Sequence, residues 1–306
     1  MAFTAFRGMH PFLQLIFTMF VILVCFLIFL VGSVIVAIPL FGLDSLTSIS
    51  TVGNLSNPEN IRILKYFQVV QSIGLFIIPP FIIAWLFHGQ IAGYLMLNKK
   101  VTVILFVLVV LLIFVANPAI NFFGSLNEKM AFPDWLSWLE GWMRSSEDKA
   151  AELTEAFLDV KTFSGLLFNL FMIAFLPAIG EELLFRGVIQ KIFTGWTKSA
   201  HLGIWIAAIL FSAFHLQFYG FLPRLLLGVM FGYLLVWSGT MWLPMIAHFL
   251  NNAAAVTGIW LISHDKIDPS IEEIGATSES FYVSILSLLM TVAVLFLIKK
   301  QNFKKN

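Results

Sequence analysis

The sequence predicts an all-α fold, a polytopic membrane helix bundle of about eight transmembrane helices. Composition comes first: 59% of the 306 residues are hydrophobic and only 11% are charged, against about 45–50% and about 25% in soluble domains. Mean hydropathy is correspondingly high, at +0.93. The third observation is a series of separate apolar stretches, each long enough to cross a ~30 Å hydrocarbon layer, which takes ~20 helical residues. One core cannot absorb such an excess, because a globule still needs a polar surface. A soluble enzyme, a nucleic-acid binder and a disordered chain are thereby excluded. The 33 Phe and 9 Trp suit lipid-facing surfaces and interfacial belts.

The first stretch, 12–40, is too long for a signal-peptide h-region and no small-residue cleavage site follows it, so it reads as a retained span. It contains the single cysteine, Cys25, which cannot form an internal disulfide and reads as a small buried or lipid-facing side chain. The second, 67–87, holds Pro79-Pro80, a packing kink satisfied by neighbours. The third is 101–117. A long acidic loop, 118–162, comes next. Its Trp135, Trp138 and Trp142 mark either a segment lying in the interface plane or an element packed over the bundle. The fourth span, 163–180, continues as a helix past 190. Spans 199–217, 221–238 and 242–262 follow closely. A polar connection at 264–280, with Asp268, Pro269, Glu272, Glu273 and Gly275, precedes the last span, 281–298. No repeat, low-complexity tract or soluble domain is visible. The chain therefore reads as one integral membrane domain: N-terminal helices and acidic loop (1–160), a polar-bearing core (161–262), and an acidic loop, last helix and basic tail (263–306).

Charge orients the spans. With the N-terminus inside, the short inside segments hold Arg7, Lys99, Lys100, Arg186, Lys191, Lys198, Lys299, Lys300, Lys304 and Lys305. This bias favours both termini in the cytoplasm. All acids except Glu181 and Glu182 fall in the outside loops.

Ionisable groups inside a membrane helix are expensive and are functional-site hypotheses by default. Three polar clusters stand out. In Glu181-Glu182-Leu183-Leu184-Phe185-Arg186, Glu182 and Arg186 are four apart and can pair, while Glu181 points on the order of 100° away around the helix. A desolvated carboxylate left without a cation has the profile of a general base. His215 closes Phe211-Ser212-Ala213-Phe214-His215. Counted from the turn near 195–198, Glu181 and His215 fall within ~5 Å of the same depth, where together they can polarise a water. In His248-Phe249-Leu250-Asn251-Asn252, His248 and Asn252 share a face and Asn251 lies on another. Two donors one turn apart suit a developing oxyanion or an inter-helix hydrogen bond. Arg224 either binds a substrate carboxylate or snorkels to the interface, and Gly228, Gly232 and Gly239 permit close helix packing.

The order E-E-x-x-x-R, F-x-x-x-H, H-x-x-x-N, each in an apolar helix, resembles the CPBP family of intramembrane proteases. This is the family of type II CAAX prenyl endopeptidases and of bacteriocin-processing or immunity membrane proteins. The resemblance covers roughly 160–260, making 161–262 a CPBP-like catalytic core, and every motif position is intact. It implies that Glu181 is the catalytic glutamate and His215 its partner in activating water. It further implies that His248 and Asn252 form the oxyanion site and that Glu182 and Arg186 support them. The implied reaction is cleavage of a peptide bond near the membrane in a membrane-associated protein or peptide. Two His and a Glu could also ligate zinc, but the Glu–Arg pair and the absence of H-E-x-x-H favour a glutamate mechanism without metal. Cys25 has no partner base, which disfavours thiol chemistry. The charge bias fits a multi-pass protein of a bacterial inner membrane, with the lipid bilayer as its surroundings and no nucleic-acid partner; oligomeric state is not legible. Two readings compete: a non-catalytic scaffold or immunity-type protein that keeps the polar cluster for packing, and a transporter using Glu181 as proton carrier, which would call for repeated halves.

Overall fold

The structure, a computed structural model, describes residues 6–43 and 55–303; Lys304 and Lys305 of the basic tail lie outside them. The described chain is a helix bundle: α1 (Pro11–Phe41), α2 (Pro58–His88), α3 (Val103–Glu128), α4 (Ser137–Leu158), α5 (Phe163–Thr197), α6 (Ala200–Phe214), α7 (Phe221–Ser238), α8 (Trp242–Ile262) and α9 (Phe281–Phe303). Seven of these, all but α4 and α6, are long and apolar enough to cross a membrane. Their outward faces are apolar: Phe20, Val103, Phe114 and Leu289 are all more than half exposed. A soluble monomer does not carry such a surface; here it faces lipid. The protein is an integral, multi-pass membrane protein.

Starts are set by local chemistry. Asn57 caps α2, its side chain accepting the Glu59 N–H at 3.0 Å, with Pro58 in the first turn. Thr162 caps α5 through Gly165 N–H at 3.1 Å, and Ser199 caps α6 through Leu202 N–H. Each satisfies a donor that the first turn leaves orphaned.

Two long helices are locally widened into π turns just ahead of prolines. In α2 the π segment Ile73–Ile77 precedes Pro79-Pro80; in α5 the segment Leu170–Phe175 precedes Pro177. Proline lacks the N–H that closes the preceding turn and its ring crowds the carbonyl four residues back, and π bulges are a recurrent irregularity inside α-helices at such places. The expected kink at Pro79-Pro80 takes this form. A second π segment in α5, Glu182–Ile189, begins within the acidic motif. α2 and α5 cross closely at Gly180, where a Cβ would stand 2.7 Å from Phe76 Cβ, so only glycine fits.

Three expectations need correction. The 118–162 stretch is not a loop, because α3 runs on to Glu128 and α4 is a 22-residue amphipathic helix. Trp135, Trp138 and Trp142 are exposed at its start, while Met143 and Phe157 are buried beneath it. The 199–217 span shrinks to the 15-residue α6, about 22 Å long and short of a full crossing. The third concerns Gly239, which does not serve packing: it ends α7 with φ +66°, a left-handed cap that glycine takes without strain.

Packing places α5 at the centre. Leu183, Val188 and Ile192 face α1 and α2 through Val21, Cys25 and Ile83, while Leu184, Phe185 and Ile189 pack on Ala207 and Phe211 of α6. A separate apolar layer joins α3, α7, α8 and α9 through Leu112, Leu234, Leu243 and Val294.

Candidate active site

Because α6 stops early, residues 215–220 form irregular backbone inside the bundle. At membrane depth such backbone survives only where protein groups satisfy it, and here side chains do. Asn127 of α3 donates to Phe218 O at 3.0 Å and accepts the Leu222 N–H at 2.6 Å. Glu147 of α4 accepts the Tyr219 N–H at 3.0 Å, and Ser212 donates to Phe221 O at 2.7 Å. Trp142 packs on Phe218 with ring centroids 5.1 Å apart. α4 thus holds this turn from above. Its other end is pinned by Lys65 of α2, whose buried Nζ donates to Phe157 O at 2.7 Å and Asn169 Oδ1 at 3.0 Å. A cation at a helix C-terminus also meets the negative end of the helix dipole.

Between α4 and the core lies a cavity of about 600 Å³. Glu181, His215, His248 and Asn252 all line it, as do Asn251, Arg224 and Gln68. Glu182 and Arg186 lie behind its wall, at 0% and 1% exposure.

The pairing of Glu182 and Arg186 is as expected, with Nη1 to Oε1 at 2.9 Å. Arg186 Nη2 also donates to Gly228 O at 3.1 Å, and its guanidinium lies 4.5 Å from the Phe211 ring centre. Gly228 allows this approach, since a Cβ there would stand 3.3 Å from Arg186 Nη2 and 3.1 Å from Ala208 Cβ.

His248 sits where the sequence alone did not place it. Its Nδ1 is 2.9 Å from Glu182 Oε1, and its Nε2 is 3.8 Å from Glu181 Oε2. The two acids, read as facing apart, converge on the two nitrogens of one imidazole. An ionised carboxylate accepts only, so His248 presents Nδ1–H to Glu182 and turns Nε2 to Glu181 and the cavity. The ring is stacked on Phe231 at 5.3 Å. His215 is oriented in the same way: its Nδ1 lies 2.8 Å from Phe211 O, a carbonyl that can only accept, so Nδ1–H donates and Nε2 is left as acceptor.

Asn252 Nδ2 donates to Ile173 O at 3.1 Å. That carbonyl is four residues before Pro177, which has no N–H to return to it. Asn251 was read as lying on another face. It lines the same cavity and donates to Asn252 Oδ1 at 3.2 Å, which fixes the Asn252 amide with one N–H to spare. Arg224 does not run to the interface; it turns into the cavity. Gln68 was missed because a single amide in an apolar helix carries no spacing signal, and Asn251 was set aside because ideal helix geometry turns it on the order of 100° from Asn252. Lys65 was missed because α2 begins at Pro58, nine residues before the apolar run. Among the described residues no three His, Cys, Asp or Glu groups are gathered as a metal site, and Glu182 Oε1 is already shared between Arg186 and His248.

Residues 163–254 match the family model described as Type II CAAX prenyl endopeptidase Rce1-like. The uncharacterized protein YpbD of Bacillus subtilis (strain 168) is 29% identical over 110 residues, which is 34% of this chain and 53% of that protein. The chain spans about half the length of this curated relative. No solved structure matches it. The matched segment carries Glu181, Glu182, Arg186, His215, His248 and Asn252, so the likeness to the Rce1-like type II CAAX prenyl endopeptidases covers the part of the chain that bears the polar cluster.

Proposed function

We propose that the protein is an intramembrane endopeptidase that hydrolyses a peptide bond of a membrane-associated protein or peptide. The observation that carries this reading is the meeting of Glu181, His215, His248 and Asn252 around one cavity under α4. Glu181 takes a proton from water, and His215 Nε2 accepts the water's other hydrogen and aims its oxygen at the scissile carbonyl. The C–O bond forms and the carbonyl electrons move onto oxygen. The spare Asn252 N–H stabilises that oxyanion, and His248, which enters the cycle with a proton taken from solvent on Nε2 and keeps it throughout, is the second donor. The Glu182 carboxylate on Nδ1 offsets the imidazolium charge. On collapse the C–N bond breaks and Glu181 returns its proton to the leaving nitrogen.

No step uses a metal. Elemental analysis of the purified protein tests this: stoichiometric zinc, lost together with activity on chelation, would overturn it. The setting is a bacterial inner membrane with both termini cytoplasmic, which the Lys/Arg distribution supports.

Glu181→Gln keeps the shape of the side chain but removes the base. It should abolish turnover, roughly 10²-fold or more, while leaving the protein folded in membranes. Proteomics of membrane fractions with wild type and Glu181→Gln identifies the substrate as the species that accumulates uncut. Full function of Glu181→Gln in cells would refute catalysis and favour a scaffold.

A further inference from the structure

The mechanism leaves Arg224 unused. It stands in the first turn of α7 and lines the same cavity as Glu181 and His215. Nη1 donates to Gln217 O at 3.1 Å and Nη2 to Gln217 Oε1 at 3.0 Å, and both acceptors are neutral. Among the described residues no carboxylate oxygen pairs with it, whereas Arg186 has Glu182. The acids whose fields reach Arg224 are Glu147 and Glu181, and neither makes a direct ion pair with it. Glu147 Oε2 accepts the Tyr219 N–H, and Glu181 Oε2 faces His248. Guanidinium has five N–H donors in a planar fork, and only two are used. A buried cation in a membrane helix with no carboxylate in direct contact is costly and is a ligand-site hypothesis. Gln217 fixes the fork by one edge, so the remaining donors are held in place in advance. Such a fork matches a carboxylate with two parallel hydrogen bonds.

We propose that Arg224 is the specificity residue of the cavity, binding a carboxylate of the substrate so that cleavage falls near an anionic group. This rests on the endopeptidase reading and adds a substrate class to it. The carboxylate has two possible sources, the C-terminus of the substrate or an acidic side chain.

The test uses the full-length protein in detergent micelles with N-terminally acylated, internally quenched peptides in three series. One has a free C-terminal carboxylate and no internal acid; one has a C-terminal amide and one internal Glu; one has a C-terminal amide and no acid. Wild type should prefer one acid-bearing series over the acid-free series by about tenfold or more in kcat/KM, the scale of a hydrogen bond to a charged group. Which series wins identifies the source. Arg224→Gln should erase the preference through KM, and Arg224→Lys should restore part of it. Equal cleavage of all three series by wild type, or an equal loss on all three in Arg224→Gln, would overturn the inference. Binding of the same series to Glu181→Gln protein, read by fluorescence anisotropy, decides it without turnover. If wild type cuts nothing yet an Arg224-dependent preference in binding remains, the hydrolase reading fails and the carboxylate site stands.

Discussion

At the scale of single residues, one carboxylate oxygen organises the site. Glu182 Oε1 receives both Arg186 and His248, and Glu182 Oε2 has no partner among the described residues. Removing Arg186 therefore strands a buried carboxylate, which costs about 3–5 kcal/mol. Arg186→Ala should lower thermal stability in detergent on that scale, whereas Glu181→Gln should barely move it, because Glu181 makes no short ion pair. Pairing Arg186→Met with Glu182→Gln should recover part of the loss, since both charges leave together; a melt of the double variant as low as that of Arg186→Ala would refute the charge-stranding account. Spacing made the Glu182–Arg186 pair legible, because residues four apart face each other on any helix. The convergence of Glu181 and Glu182 on His248 was not legible. It depends on α8 lying along the 170–181 stretch of α5, which opens with a π-widened turn at Leu170–Phe175, and no count of residues along one helix reports what a second helix brings to it.

At the scale of elements, the short α6 and the amphipathic α4 belong together. A helix that ends early leaves backbone groups inside the bilayer, and Asn127 satisfies two of them with its one amide. Asn127→Ala should cost about 2 kcal/mol or more, as two buried backbone groups lose their partners. It should raise amide hydrogen exchange at Phe218–Leu222 before that of α5 or α8. Unchanged exchange there would show that the turn does not depend on α3. At the start of α4, Arg144 holds the Glu140 carboxyl below its usual range through a 2.7 Å contact. With a lowered folded-state value, the contribution is present above the ordinary carboxylate range and is lost as pH falls through the lowered value. α4 should therefore loosen at its N-terminal end under acid, and Glu140→Gln should remove that dependence in exchange measurements. The seven apolar spans other than α6 were legible because long apolar runs have one structural outcome in lipid. α4 was not, because its apolar residues are few and its helical period had to be read beneath a run of acids.

At the scale of the whole molecule, the cavity has a side. α5 starts beside α4 and runs 35 residues, about 52 Å, to the Thr197–Ser199 turn. Glu181 lies 16 residues before Thr197 and His215 the same number after Ser199, so both are about 24 Å from that turn, close to the midpoint of α5. Leu153, Thr154 and Phe157 of α4 form part of the cavity wall. Substrate and water should thus enter from the face that bears α4 and the acidic loops, the periplasmic face if the Lys/Arg bias sets orientation. The chain offers a clean background for the measurement, because its single cysteine, Cys25, is buried at 6% exposure. A membrane-impermeant maleimide added to intact spheroplasts should label cysteines placed at Ser137 and Thr154 and spare one placed at Lys198, with the pattern reversed in inside-out vesicles. Labelling at Lys198 from outside, with Ser137 and Thr154 protected, would invert the topology and put the cavity mouth on the cytoplasmic side. Labelling at Ser137 without Thr154 would keep the topology but show that α4 seals the cavity until it moves.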